Sequence, residues 1–98
     1  MATFVSTVKF SDQGMKDIKA TCDRAQSFRS NAEKHGVQVR EVFWTLGRFD
    51  GLLIVDAPDE ESVTALMLEL GAKGNVHTQT ARAYNEAEME SILGRLSS

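Results

Sequence analysis

No unbroken apolar run in this 98-residue chain is longer than Leu52-Leu53-Ile54-Val55, which lies between Gly51 and Asp56. A run that short suits a strand, whose side chains alternate between faces, so Leu52 and Ile54 point one way and Leu53 and Val55 the other. A strand that is apolar on both faces needs cover on both. The rest of the chain has to be read for what can supply it.

Periodicity identifies the other elements. Residues 2–10 alternate, with Phe4, Val8 and Phe10 on one face and Thr3, Val5, Thr7 and Lys9 on the other, which predicts a first strand. After the turn residues Ser11-Asp12-Gln13-Gly14, an apolar stripe of Met15, Ile18, Cys22, Ala25, Phe28 and Ala32 predicts a helix that ends at Gly36. Thr21 suits a cap for the second portion of that helix, which implies a bend there. Residues 37–46 are rich in β-branched and aromatic types and pair naturally with 52–57 as a hairpin turning near Gly47. Asp59, Glu60 and Glu61 then place negative charge ahead of Val63, Leu66, Met67 and Leu70, a second helix closed by Gly71 and Gly74. Residues 75–84 have an extended pattern. Asn85 with Glu88 forms a capping pair for a C-terminal helix bearing Met89, Ile92, Leu93 and Leu96.

The resulting order is the α+β, ferredoxin-like βαββαβ arrangement with a four-stranded antiparallel sheet and one extra C-terminal helix. The length suits a single domain over residues 1–98. In this topology strands one and three are central, and two helices cover one sheet face. Val5 and one apolar pair of strand three remain on the other face, so a second copy of the sheet is expected to pack there as a dimeric α/β barrel. A chain this small buries a modest share of its surface alone and gains much from such a partner.

Charge and cysteine usage narrow the function classes. Eleven Lys and Arg against 14 Asp and Glu give a net charge of −3, which argues against a direct nucleic-acid partner. A single cysteine, Cys22, permits no intrachain disulfide; on the helical stripe it reads as a small hydrophobe, as do Met67 and Met89 on theirs. No leader-like or bilayer-length apolar segment is present, so a cytoplasmic setting is expected, with no membrane partner.

The segment Phe43-Trp44-Thr45-Leu46-Gly47-Arg48-Phe49-Asp50 resembles the signature of the GYD domain family of small bacterial and archaeal proteins. Thr3, Asp12-Gln13-Gly14, Arg24-Ala25, Ala57-Pro58-Asp59, Gly71, Gly74-Asn75-Val76, Thr78 and Thr80 also look like the family pattern. The resemblance implies a ferredoxin-like fold and no established activity. Phe49 replaces the name-giving tyrosine, so no role requiring a phenol hydroxyl carries over. The Gly-x-aromatic-Asp turn also resembles, over a shorter stretch, the effector-binding module of Lrp/AsnC-type regulators.

Candidate chemistry concentrates at two places. Gly47 to Asp50 is either a hairpin turn or, with Trp44 as a stacking wall and Arg48 as a fork for a carboxylate, the rim of a ligand site including Asp50. His77 and Thr78 lie in a polar run of the fourth strand that either lines a barrel interior or faces solvent. Lys9, if inside, needs an acidic partner such as Glu41 or an anionic ligand; at a strand end it needs neither. His35 reads as a helix-end dipole partner, and the two histidines stand far apart without an acidic or thiol cluster, so neither a metal nor a cofactor is expected. The leading expectation is a homo-oligomeric module binding a small ligand or a protein partner without catalysis. The alternative is a cofactor-independent enzyme in which Trp44, His77 and Thr78 orient a hydrophobic substrate. A regulatory effector domain is a third reading and would need a separate DNA-binding protein.

Overall fold

The computed structural model describes residues 1–97. Strands β1 (Ala2–Phe10), β2 (Gln38–Trp44), β3 (Gly51–Ala57) and β4 (Val76–Ala83) form one antiparallel sheet in the order β2-β3-β1-β4. Four helices accompany it: α1 (Asp12–Lys16), α2 (Thr21–Lys34), α3 (Glu60–Ala72) and α4 (Glu86–Leu93). The α+β order and the central position of β1 and β3 are as the sequence pattern predicts.

The doubly apolar strand divides as its alternation requires. Leu53 and Val55 are buried beside Phe4 and Val8 of β1, beneath Phe28 and Ala32 of α2 and Val63 and Leu66 of α3. Leu52 and Ile54 point to the other face, where β1 sets Thr7 and Val5 opposite them, and all four stay half-buried. The molecule measures 54 × 31 × 18 Å, and its thin dimension holds one sheet layer and one helical layer. Both large helices lie on the Leu53 side, so the Ile54 side is open.

The first helix departs from a single continuous stripe. A 3-10 turn at Ile18–Ala20 separates α1 from α2, and each residue in such a turn rotates the chain further than an α-helical residue does. The inward positions of α2 are Thr21, Ala25, Phe28 and Ala32, while Cys22 of the same helix and Met15 of α1 face solvent. Core packing of Cys22 is thus corrected by helix geometry: at about 100° per residue it lies roughly 120° round α2 from Phe28, whereas Thr21 is nearly in line with it. Thr21 is the first residue of α2 rather than its cap; the cap position is Ala20, and the Thr21 hydroxyl is used elsewhere. His35 closes α2 and lies 3.0 Å from Glu69 of α3, coupling the two helices.

The later helices begin on side-chain caps. Asp59 Oδ1 accepts from the Ser62 amide at 2.7 Å, and Asn85 and Glu88 form a reciprocal capping box at the start of α4. Arg82 Nη2 donates to Glu88 Oε2 at 2.9 Å and fastens α4 to the edge strand β4. Beyond that anchor α4 runs away from the core, leaving Met89, Leu93 and Leu96 exposed. The core reading of Met89 is corrected accordingly, whereas Met67 does pack against the core.

The Asn85 amide, and next the Arg82 guanidinium, hold the Glu88 carboxyl below its ordinary 4.5. A carboxylate with a depressed folded value stabilises above the unfolded value and loses that contribution as pH falls through the folded one. The Asn85 amide resonance is therefore expected to titrate with a midpoint below 4.5. Glu88→Gln should abolish that step, with helical content in α4 falling in parallel in the native chain alone.

Candidate functional site

β2 is an edge strand, and its register with β3 shifts between Val39 and Glu41. The extra residue lets Val39 and Val42 both face the helices and brings Trp44 opposite Gly51, also on the helical side. Phe43, opposite Leu52, lies on the open face. Six residues then cross to β3. Gly47 adopts φ +109°, a conformation that glycine enters without steric cost, and carries the exposed side chains of Leu46 and Arg48 out at the tip.

Asp50 fastens this loop. Its backbone N–H donates to Val8 O at 2.7 Å, and its own carbonyl accepts from the Thr45 N–H at 2.9 Å. Its carboxylate accepts from the Phe10 N–H at 2.9 Å and lies 3.6 Å from Lys9 Nζ. The aspartate thus closes the loop locally and joins it to the end of β1, 40 residues away in sequence. Asp50→Ala leaves the Phe10 N–H without its acceptor and should cost about 1–2 kcal/mol in urea unfolding; Asp50→Asn, which keeps an oxygen there, should cost less.

Behind Trp44 lies a cavity of about 260 Å³ between α2 and the sheet, walled chiefly by Val8, Phe28, Val42, Leu53 and Leu70. It exists because α2 presents small side chains, Thr21 and Ala25, where the sheet beneath is widest, and its first large buried side chain is Phe28. The Trp44 side chain lines the cavity, with Nε1 donating to Thr21 Oγ1 at 2.9 Å and 47% of the residue still exposed. Asp50 contributes to the wall, so the hairpin and the cavity are one structure.

The six residues singled out by sequence do not gather at one place within a chain. Lys9 and Asp50 are ion-paired, and His77 stands directly across from Lys9 in the β1–β4 register. Those three share one end of the sheet. Trp44 is on the helical face of the opposite edge, Thr78 faces the helices beside Met67 and Leu68, and Arg48 projects from the loop tip. Consecutive strand residues alternate faces, so His77 and Thr78 cannot both line one cavity. Nor does Glu41 meet Lys9, for it pairs across to Ile54, nearer the other end of the sheet. The substrate-orienting trio Trp44, His77 and Thr78 is accordingly split between two faces. The cavity residues Thr21, Ala25 and Leu70 carry no motif; the readable signal was the paucity of large side chains in the first turns of α2.

A ferredoxin-like sheet with one open face and a Gly-aromatic-Asp hairpin closing a cavity under its first long helix defines the class. Within that class the chain belongs to the GYD domain family, whose pattern matches residues 4–93. It is 29% identical over 90 residues, 91% of this chain and 95% of the relative, to the glutamine synthetase and cystathionine beta-lyase binding protein of Thermus thermophilus. Among solved structures, MtbAldR superposes with a TM-score of 0.68 at 21% identity, over 87% of this chain and 54% of that one. The chlorite dismutase-like protein TA0507 gives 0.59 at 12% identity, over 95% and 48% respectively. The chain thus spans about half of each of those two proteins, and at such identities they establish the fold alone. No helix among the described residues is long and apolar enough to cross a membrane.

Proposed function

We propose that the chain is a self-pairing, non-catalytic binding module whose partner is a protein. The observation that carries self-pairing is the open sheet face, where Val5, Leu52, Ile54 and Phe43 form an apolar centre that neither long helix covers. Completing the burial of these partly exposed side chains contributes on the order of 1 kcal/mol each, enough in sum to favour association. Lys9 and His77 lie at one end of the face and Asp56 at the other, with Glu41 opposite Ile54 near the centre. Lys9 is already paired with Asp50 and Asp56 with Arg40, so apolar contact rather than charge drives the pairing, and a two-fold axis running across the strands sets opposite ends over each other. The pair is a dimeric α/β barrel, with both helical layers outermost.

Self-pairing leaves the hairpin tip outside. Leu46 is wholly exposed there and Arg48 stands beside it, the pairing of an apolar anchor with a guanidinium that suits a protein surface. The relative's binding to glutamine synthetase and cystathionine beta-lyase supports a partner of that kind for this chain. Sedimentation velocity of the purified chain mixed with glutamine synthetase from the same organism tests it. Co-migration that is weakened by Leu46→Ala and by Arg48→Ala is expected. Two unchanged boundaries at about 50 μM, with cystathionine beta-lyase giving the same result, would remove the protein-partner reading.

A further inference from the structure

We infer that the cavity behind Trp44 is a binding site for a small uncharged apolar molecule of about two fused rings, admitted when the Trp44 side chain turns away from Thr21. This site lies on the helical side of the sheet and is independent of both surfaces proposed above.

Size sets the first limit. A buried apolar cavity of about 150 Å³ accommodates benzene, so the 260 Å³ here has room for a bicyclic ring system. Chemistry sets the second. The walls are chiefly aliphatic and aromatic; of the polar groups that reach them, Asp23, Ser27 and Lys73 are exposed to solvent, and several of the rest are engaged within the chain. Asp50 is held by the Phe10 N–H and Lys9. Arg24 donates to the carbonyls of Asp17 and Gly14, and the Asn75 side chain accepts from Gln13. A charged guest would lose its hydration against the apolar floor of Val8, Phe28, Val42 and Leu53, which disfavours an ion there. An uncharged apolar guest loses nothing of that kind and fills space that otherwise lacks packing partners.

Thr21 sets the third limit. Its hydroxyl oxygen is the acceptor that the Trp44 indole N–H now occupies at 2.9 Å. When Trp44 swings outward, that oxygen becomes a free acceptor, so a guest bearing a single N–H or O–H on an aromatic body takes the indole's place. The hinge is suited to this motion: Trp44 is the last residue of an edge strand and precedes the six-residue loop, while its ring is already half exposed. The same-sized apolar body and single donor are what the cavity selects.

Indole is the probe, titrated into the full chain and followed by methyl and indole N–H resonances. The expected result is saturable shifts at Val8, Val42, Leu53 and Leu70 and at the Trp44 Nε1–H, with a Kd of about 0.1–1 mM for so small a ligand. Ala25→Leu fills the cavity from α2 and should weaken binding at least about tenfold while leaving the fold and the sedimentation behaviour unchanged. Absence of saturable shifts up to about 5 mM would overturn the proposal. So would shifts centred on Val5, Leu52 and Ile54 of the open face, or binding that Ala25→Leu leaves intact. Should that variant fail to fold, the location of the shifts in the unmodified chain decides between the two outcomes.

Discussion

Gly14→Ala is expected to unfold the chain's α1 corner and lower its melting temperature by about 10–25 °C, the equivalent of a loss of about 2–4 kcal/mol. A Cβ at position 14 would lie 2.0 Å from Asn75 O and 3.0 Å from its carbonyl carbon, in the rigid backbone that opens β4. Backbone oxygen at that distance cannot give way as a flexible side chain does. The chain must move α1 and the α3–β4 loop apart, and several bonds hold them together: Ser11 N–H to Asn75 O at 2.9 Å, Gln13 Nε2 to Lys73 O at 3.1 Å, and Gln13 Nε2 to Asn75 Oδ1 at 3.0 Å. Separation also disturbs the Arg24 donation to Gly14 O, which sets the start of α2. Gln13→Ala provides the comparison, since it removes exposed hydrogen bonds without a clash and should lower melting by only a few degrees, roughly the effect of about 0.5–1 kcal/mol. Differential scanning calorimetry on the two variants decides whether close approach or hydrogen bonding governs this corner.

Ile54→Asp is expected to abolish self-association while leaving the secondary structure intact. Ile54 sits opposite Val5 and Glu41 at the centre of the open face, away from the buried core. In a single chain an aspartate there remains partly hydrated, so the fold should lose no more than about 1 kcal/mol. In a paired sheet the same carboxylate would be driven into an apolar interface together with its symmetry mate, and two like charges without counter-ions oppose association strongly. Dissociation should weaken pairing by at least about a hundredfold by size-exclusion chromatography with light scattering. A variant that unfolds outright would instead place Ile54 in the core, contrary to the face assigned to it.

What could be read from the sequence was what is local. The alternation in residues 2–10, the doubly apolar Leu52–Val55 run and the Asn85–Glu88 capping pair each depend on neighbours within a few positions, and each forms as its pattern requires. The φ of +109° at Gly47 belongs to the same group. What escaped depends on distance in the chain. The Ile18–Ala20 segment has nothing in its composition to mark the 3-10 turn that separates α1 from α2. Asp50 reads as a turn residue because its acceptor role toward the Phe10 N–H arises only when β3 pairs with β1. The cavity is likewise a property of α2 packed on the sheet, since small residues at Thr21 and Ala25 have no consequence until Val42 and Leu53 are placed beneath them. Met89 occupies a regular helical stripe, and periodicity alone cannot tell a stripe that meets a core from one that leaves it.

The central claim is that the uncovered Val5–Leu52–Ile54 face is closed by a second copy of the chain. Sedimentation equilibrium of the unmodified protein across the micromolar range tests it most directly: the account predicts twice the chain mass or a higher even multiple, and a strict monomer throughout that range would contradict it.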